Sequence, residues 1–132
     1  MIREYNKEYK IGYSQTNQKL ELEIYDAFNL SQDTVTEYYE SFGGDNIVLK
    51  ENDNAIWVTT KAKANFIKFP KWRDVVKSKS YTTKIKPIRV NTETIFKDSN
   101  DEMLFVIEQE ACVIDLDTRK IRKVNTMVLL IG

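Results

Sequence analysis

"IYDAFNLSQDTVTEYYESFGG", residues 24–44, is the longest stretch of this 132-residue chain that repeats with a helical period. Ile24, Ala27, Phe28, Ser31, Val35, Tyr38 and Phe42 fall on one stripe, and the glycines at 43 and 44 supply the residue type that ends a helix. The spacing predicts one long amphipathic helix with its acids on the outer side.

On either side of it the period is two. Before the helix, "YKIGY" at 9–13 reads as a short strand, and after it "KENDN" at 50–54 reads as a turn. Ile56, Val58, Ala62, Ala64 and Phe66 then alternate onto one face of a long strand, with Trp57, Lys61, Lys63, Ile67 and Phe69 on the other. Further strands are predicted over about 74–85, 88–96 and 102–115, and "KVNTMVLLIG" at 123–132 as a last strand or a docked tail. The proline of "FPKWRD", 69–74, cannot donate to a ladder, so this segment is the connection between two antiparallel strands. Trp72 is expected to pack over the sheet end, and Arg73 to pair locally with Asp74. A strand, a long helix and a meander of strands make an α+β layer in which about five antiparallel strands curve around one central helix.

Composition bounds the chemistry. With 42% apolar residues the chain is expected to fold as one domain over 1–132. It has no apolar run of membrane length, and "MIREYNKEYK" is too charged for a signal peptide, so the expected compartment is the cytoplasm. The single cysteine, Cys112, has no partner for an internal disulfide, and without histidine the commonest zinc ligand and general base are missing. No metal and no cofactor are expected, and carboxylates remain as the conventional bases.

Four acids are candidates. Asp33 and Glu37 are spaced i, i+4 on the helix, offset from its apolar stripe, where a solvated pair is the plainer reading. Glu108 and Glu110 share a strand face with Cys112. Facing an apolar pocket, they would be bases of raised pKa; the structural alternative is cross-strand pairing with the basic strands of 74–89. Cys112 itself reads as core filling, and Asn17 and Gln18 as turn residues.

Twenty basic and twenty acidic residues cancel, yet basic residues crowd positions 61–89, where Asp74 is the single acid, and acids crowd 21–53, where Lys50 is the single base. Two readings fit: neighbouring elements neutralise each other, or the protein carries a basic face. Phe66, Phe69, Trp72 and Tyr81 interleave with the lysines as in single-strand nucleic-acid binders. Against that stand the sequence pI of about 6.3 and an alternation that points Phe66 and Phe69 to opposite faces.

The order of elements resembles the hotdog fold. Within it, Tyr13, "QDTVTEYYESFG" at 32–43, Trp57, "FPKWRD" at 69–74 and "CVIDLDTRK" at 112–120 resemble the first, non-catalytic repeat of the acyl-ACP thioesterases. Tyr38, Tyr81 and Cys112 depart from the residues common there. The resemblance implies a domain that binds acyl thioesters on acyl carrier protein or coenzyme A, and hydrolyses them or serves as a non-catalytic module. It implies docking of the acidic carrier or of coenzyme A phosphates at Lys68, Lys71 and Arg73. It also implies a homodimer in which a second copy replaces the second repeat.

Overall fold

The computed structural model describes residues 3–124. Its elements are β1 (Glu4–Lys10), a 3-10 turn at Tyr13–Gln15, α1 (Ile24–Glu40), α2 (Asn46–Asp53), β2 (Ala55–Phe66), β3 (Val75–Ile85), β4 (Val90–Lys97), β5 (Met103–Asp115) and β6 (Ile121–Arg122). The antiparallel sheet runs β1-β3-β4-β5-β2, with β6 beside β5, and α1 crosses its inner face over β1, β3 and β4. The α+β layer expected from the periodicity is observed, in the hotdog arrangement that the order of elements resembles, with a second helix and a short sixth strand added. Register shifts in β2, in β3 and at the end of β4 add twist and bend the sheet around the helix.

Several boundaries move, each for a local reason. The first strand lies at Glu4–Lys10, ahead of the expected 9–13, because its inward side chains are Tyr5, Lys7 and Tyr9, whose polar ends hide the alternation. In α1 the buried face includes Leu30, Thr34 and Tyr39, while Ile24 stays half exposed, so the stripe is rotated from the expected one. Gly43 ends the helix region at φ +77°, a conformation that costs glycine nothing. The expected turn at 50–54 falls largely within α2, which Asp45 opens by accepting from the Ile47 amide at 3.2 Å and Asn54 closes in the left-handed region. Residues 125–132 of the expected last strand or tail lie outside the described residues; β6 precedes them.

The largest correction is in β2. A bulge between Thr59 and Lys61 inverts the parity of the first half of the strand. Ala55, Trp57 and Thr59 pair with Asp115, Val113 and Ala111, and beyond the bulge Ala62, Ala64 and Phe66 pair with Gln109, Ile107 and Phe105. Trp57 therefore faces the core, packed against Tyr39, and Ile56 and Val58 take the other face, opposite to the expectation.

"FPKWRD" is the β2–β3 connection, and the chain reverses there. Phe69 folds back onto Phe66 with rings stacked at 4.6 Å, so the two do not point to opposite faces. The strand ends at Phe66, and strand alternation no longer governs Phe69. Backbone hydrogen bonds knit the connection to the loop after β1: Arg73 N–H to Ile11 O, Trp72 N–H to Leu20 O and Leu22 N–H to Pro70 O, all 2.8–2.9 Å. The Asp74 carboxylate closes the turn by accepting from the Lys71 amide at 2.9 Å. Arg73, at φ +76°, lays its guanidinium over Trp72 at 4.3 Å instead of pairing with Asp74. Trp72 in turn meets Tyr13 edge-on at 5.5 Å.

The interior has two apolar ends. Under the first half of α1, Ile11, Leu22, Leu30, Val76, Phe96, Phe105 and Ile107 form a closed cluster. Near α2, Leu49, Ala55, Val90, Val113 and Val124 form another, bridged by Phe42 and Trp57 to Val35, Tyr38 and Tyr39.

Candidate functional site

Between these apolar ends lies a belt of buried polar side chains: Ser31, Thr34, Ser78, Ser80, Thr92, Thr94 and Gln109. Alternation along β3, β4 and β5 puts the last five on the inner face, across from α1. Buried polar groups need partners, and most have them. Ser80 and Thr94 meet at 2.7 Å, Thr34 and Ser78 at 3.1 Å, Tyr9 and Thr34 at 2.7 Å, and Tyr38 and Thr82 at 2.9 Å.

Toward β2 the belt opens into a cavity of about 40 Å³, lined by Gln32, Val35 and Tyr39 of α1, Trp57 and Thr59 of β2, Thr92 of β4, Gln109 and Ala111 of β5, and Asp45 and Asn46 at the start of α2. Helical spacing brings Gln32, Val35 and Tyr39 to one side of α1, and the β2 bulge brings Trp57 and Thr59 to meet them. The Tyr39 and Trp57 rings stack at 4.9 Å. Trp57 is held by its indole N–H to Gly44 O at 2.8 Å and by its amide to the Asn46 side chain at 2.7 Å. Gln109, 5% exposed, donates to the Gln32 side chain at 3.3 Å, and the Thr59 hydroxyl reaches the same oxygen at 3.4 Å. Tyr39 is equally buried, but its hydroxyl has no hydrogen-bond partner. Burial pushes that phenol well above its ordinary pKa, so it stays protonated and able to donate.

The structure brings none of the four expected acids to this cavity. Glu108 is exposed on the outer face of the sheet, across from Lys63 of β2 and Glu93 of β4. Glu110, on the same face, is a close ion pair with Arg89, whose Nε lies 2.9 Å from its carboxylate, and it also accepts from the Thr60 hydroxyl. Asp33 is exposed. Glu37 points to β1, where it accepts from the Tyr5 hydroxyl at 3.0 Å and pairs with Lys7. That pairing with Lys7 holds the Glu37 carboxyl below its ordinary pKa, the wrong direction for a proton acceptor at neutral pH. Cys112 is buried and burial raises its thiol, which opposes formation of a nucleophilic thiolate.

Lys68, Lys71 and Arg73 are exposed around the Pro70 turn, away from the cavity lining. Elsewhere in the basic segment Lys77 pairs with Asp101, Lys79 with Glu4 and Arg89 with Glu110. Asn17 and Gln18 line an open groove at the 3-10 turn, where the Asn17 side chain accepts from the Lys19 and Glu21 amides as a turn residue does. Among the described residues no group of three or more His, Cys, Asp or Glu is placed to hold a metal, and no helix is long and apolar enough to cross a membrane.

Sequence reasoning passed over Tyr39, Gln32, Gln109 and Asp45. The available signal was polar residues at inward strand positions, above all glutamine at 109 in a run otherwise apolar on that face. Asp45 and Asn46 directly after "GG" were a second signal, for a helix cap.

The family model described as the acyl-ACP thioesterase N-terminal domain matches residues 3–130. The chain belongs to this family. Solved structures agree with the fold. A protein assigned as an oleoyl thioesterase in Lactobacillus plantarum superimposes with a TM-score of 0.92 at 15% identity, over 98% of this chain and 51% of that one. An acyl-ACP thioesterase from Bacteroides thetaiotaomicron gives 0.87 at 13% identity, over 91% of this chain and 49% of that one. A 1,4-dihydroxy-2-naphthoyl-CoA thioesterase from Synechocystis gives 0.86 at 11% identity, over 97% and 95%. The acyl-ACP thioesterase N-terminal domain thus spans about half the length of the first two and nearly all of the third. At these identities the likeness is one of fold. No curated protein matches the sequence closely enough to count as a relative.

Proposed function

We propose that this acyl-ACP thioesterase N-terminal domain binds acyl thioesters carried by acyl carrier protein or coenzyme A, with the acyl group entering the cavity between α1 and the β2–β5 side of the sheet. The observation that carries the reading is that cavity, lined by α1 together with β2, β4 and β5, in a chain of this family. Lys68, Lys71 and Arg73, free of carboxylate partners among the described residues, are the docking patch for the acidic carrier or for coenzyme A phosphates. The twelve-residue β2 lies at a sheet edge among the described residues and offers the side unpaired there to a second hotdog unit, in a homodimer acting on fatty acid synthesis products in the cytoplasm. Asp45 is the carboxylate at the cavity, and hydrolysis by this chain would draw on it as base.

The test combines acyl-CoA and acyl carrier protein thioesters of graded length. Saturable binding with release of free thiol supports an active thioesterase, and binding without release supports a non-catalytic acyl-binding module. No binding to any of them sinks the reading. Light scattering at high micromolar concentration checks the pairing, which a stable monomer would exclude.

A further inference from the structure

We propose that the cavity selects an acyl group bearing an oxygen, a hydroxyl or a ketone, over an unsubstituted chain of the same length. The inference rests on the acyl-binding reading and narrows the substrate class.

Three observations carry it. The volume of about 40 Å³ accepts on the order of three water-sized groups, so the cavity receives a short segment of the acyl group, where one functional group weighs heavily. The lining is polar where it is deepest: Gln109 is 5% exposed and Thr92 3% exposed, and the Gln109–Gln32–Thr59 contacts at 3.3 and 3.4 Å are long enough to yield to a better acceptor or donor. Tyr39, 5% exposed, keeps a hydroxyl with no partner in the protein, and its raised pKa keeps the proton on it. Beside a methylene the Tyr39 hydroxyl, already out of reach of water, stays unpaired, and a buried donor left unsatisfied costs about 1–3 kcal/mol. An oxygen on the acyl chain accepts from the Tyr39 hydroxyl or the Gln109 amide instead. A site whose buried polar groups expect a partner rejects the analogue that lacks one far more strongly than an apolar pocket rejects an added hydroxyl.

Isothermal titration of the full chain, at one chain length, with unsubstituted acyl-CoA and its 3-hydroxy, 3-oxo and terminal-hydroxy counterparts tests the proposal. At least one oxygenated ligand is expected to bind about tenfold tighter than the unsubstituted one. Tyr39→Phe, which deletes only the orphan hydroxyl, is expected to unfold at the same or a higher temperature and to shrink that ratio to about threefold or less. The unsubstituted ligand is measured on the same variant, so that the ratio isolates the hydroxyl. Gln32→Ala, at an exposed helix position, is a second variant should Tyr39→Phe fold poorly, and it should also reduce the ratio. Equal affinities for all four ligands, or a ratio that survives both variants, overturns the proposal while leaving acyl binding intact. Absence of binding to all four overturns the acyl-binding reading as well.

Discussion

Two neighbouring parts of the helix–sheet interface solve the same packing problem with opposite chemistry. Beneath the first half of α1, Phe105 stacks on Phe96 at 4.2 Å and on Phe66 at 4.9 Å, and Phe69 closes over Phe66, so that the contacts there are between aromatic rings. A turn or two further along the helix, the same strands present Ser80, Thr92, Thr94 and Gln109, and the space between helix and sheet is bridged by hydroxyl pairs. Apolar burial rewards any well-packed contact, whereas a buried hydroxyl gains only about 0.5–1.5 kcal/mol when paired and costs more than that when it is not. The difference teaches that the aromatic end anchors the fold and the polar belt is the part free to serve a ligand.

The comparison breaks most readily at Phe105. Phe105→Ala is expected to cost about 3–5 kcal/mol in urea unfolding, since the stacked neighbours cannot collapse into the space. A loss under about 1 kcal/mol would mean that the aromatic end is not the anchor. In the belt, Ser80→Ala or Thr94→Val alone should cost about 1–3 kcal/mol by stranding the other hydroxyl, and the double variant should cost less than the sum. Strict additivity would show that the pair does not act as a unit. The smallest effect belongs to the β1–α1 bridge, where Glu37→Gln should cost about 0.5 kcal/mol at neutral pH, as a partly exposed ion pair does. Because the folded state lowers the Glu37 pKa, its contribution is complete above the ordinary carboxylate value and disappears as pH falls through the lowered one. A variant penalty that grows on acidification would contradict that sign.

The fold was legible because its evidence is periodic: the α1 stripe, the alternation in β3 and β5, and a proline that breaks β2 from β3. The cavity was not. Its tyrosine belongs to a run of aromatics that looks like core, its glutamines look like surface, and its tryptophan was placed on the wrong face because a single extra residue at the bulge changes parity without changing composition. The charged residues that drew attention in the sequence, Glu108, Glu110, Asp33 and Glu37, lie on the outer face of the sheet, in solvent or against β1.

The sequence by itself determined the element order, the central helix, the turn at Pro70 and the resemblance to a thioesterase repeat, because each depends on spacing along the chain or on residue types at fixed intervals. Only the tertiary structure decided which polar side chains are buried together and which of them, Ser31 and Tyr39 included, lack a partner. That depends on strand register and on how the helix meets the sheet, as where Gln32 of α1 meets Gln109 of β5, 77 residues on, and no local pattern encodes whether a hydroxyl such as that of Tyr39 finds an acceptor.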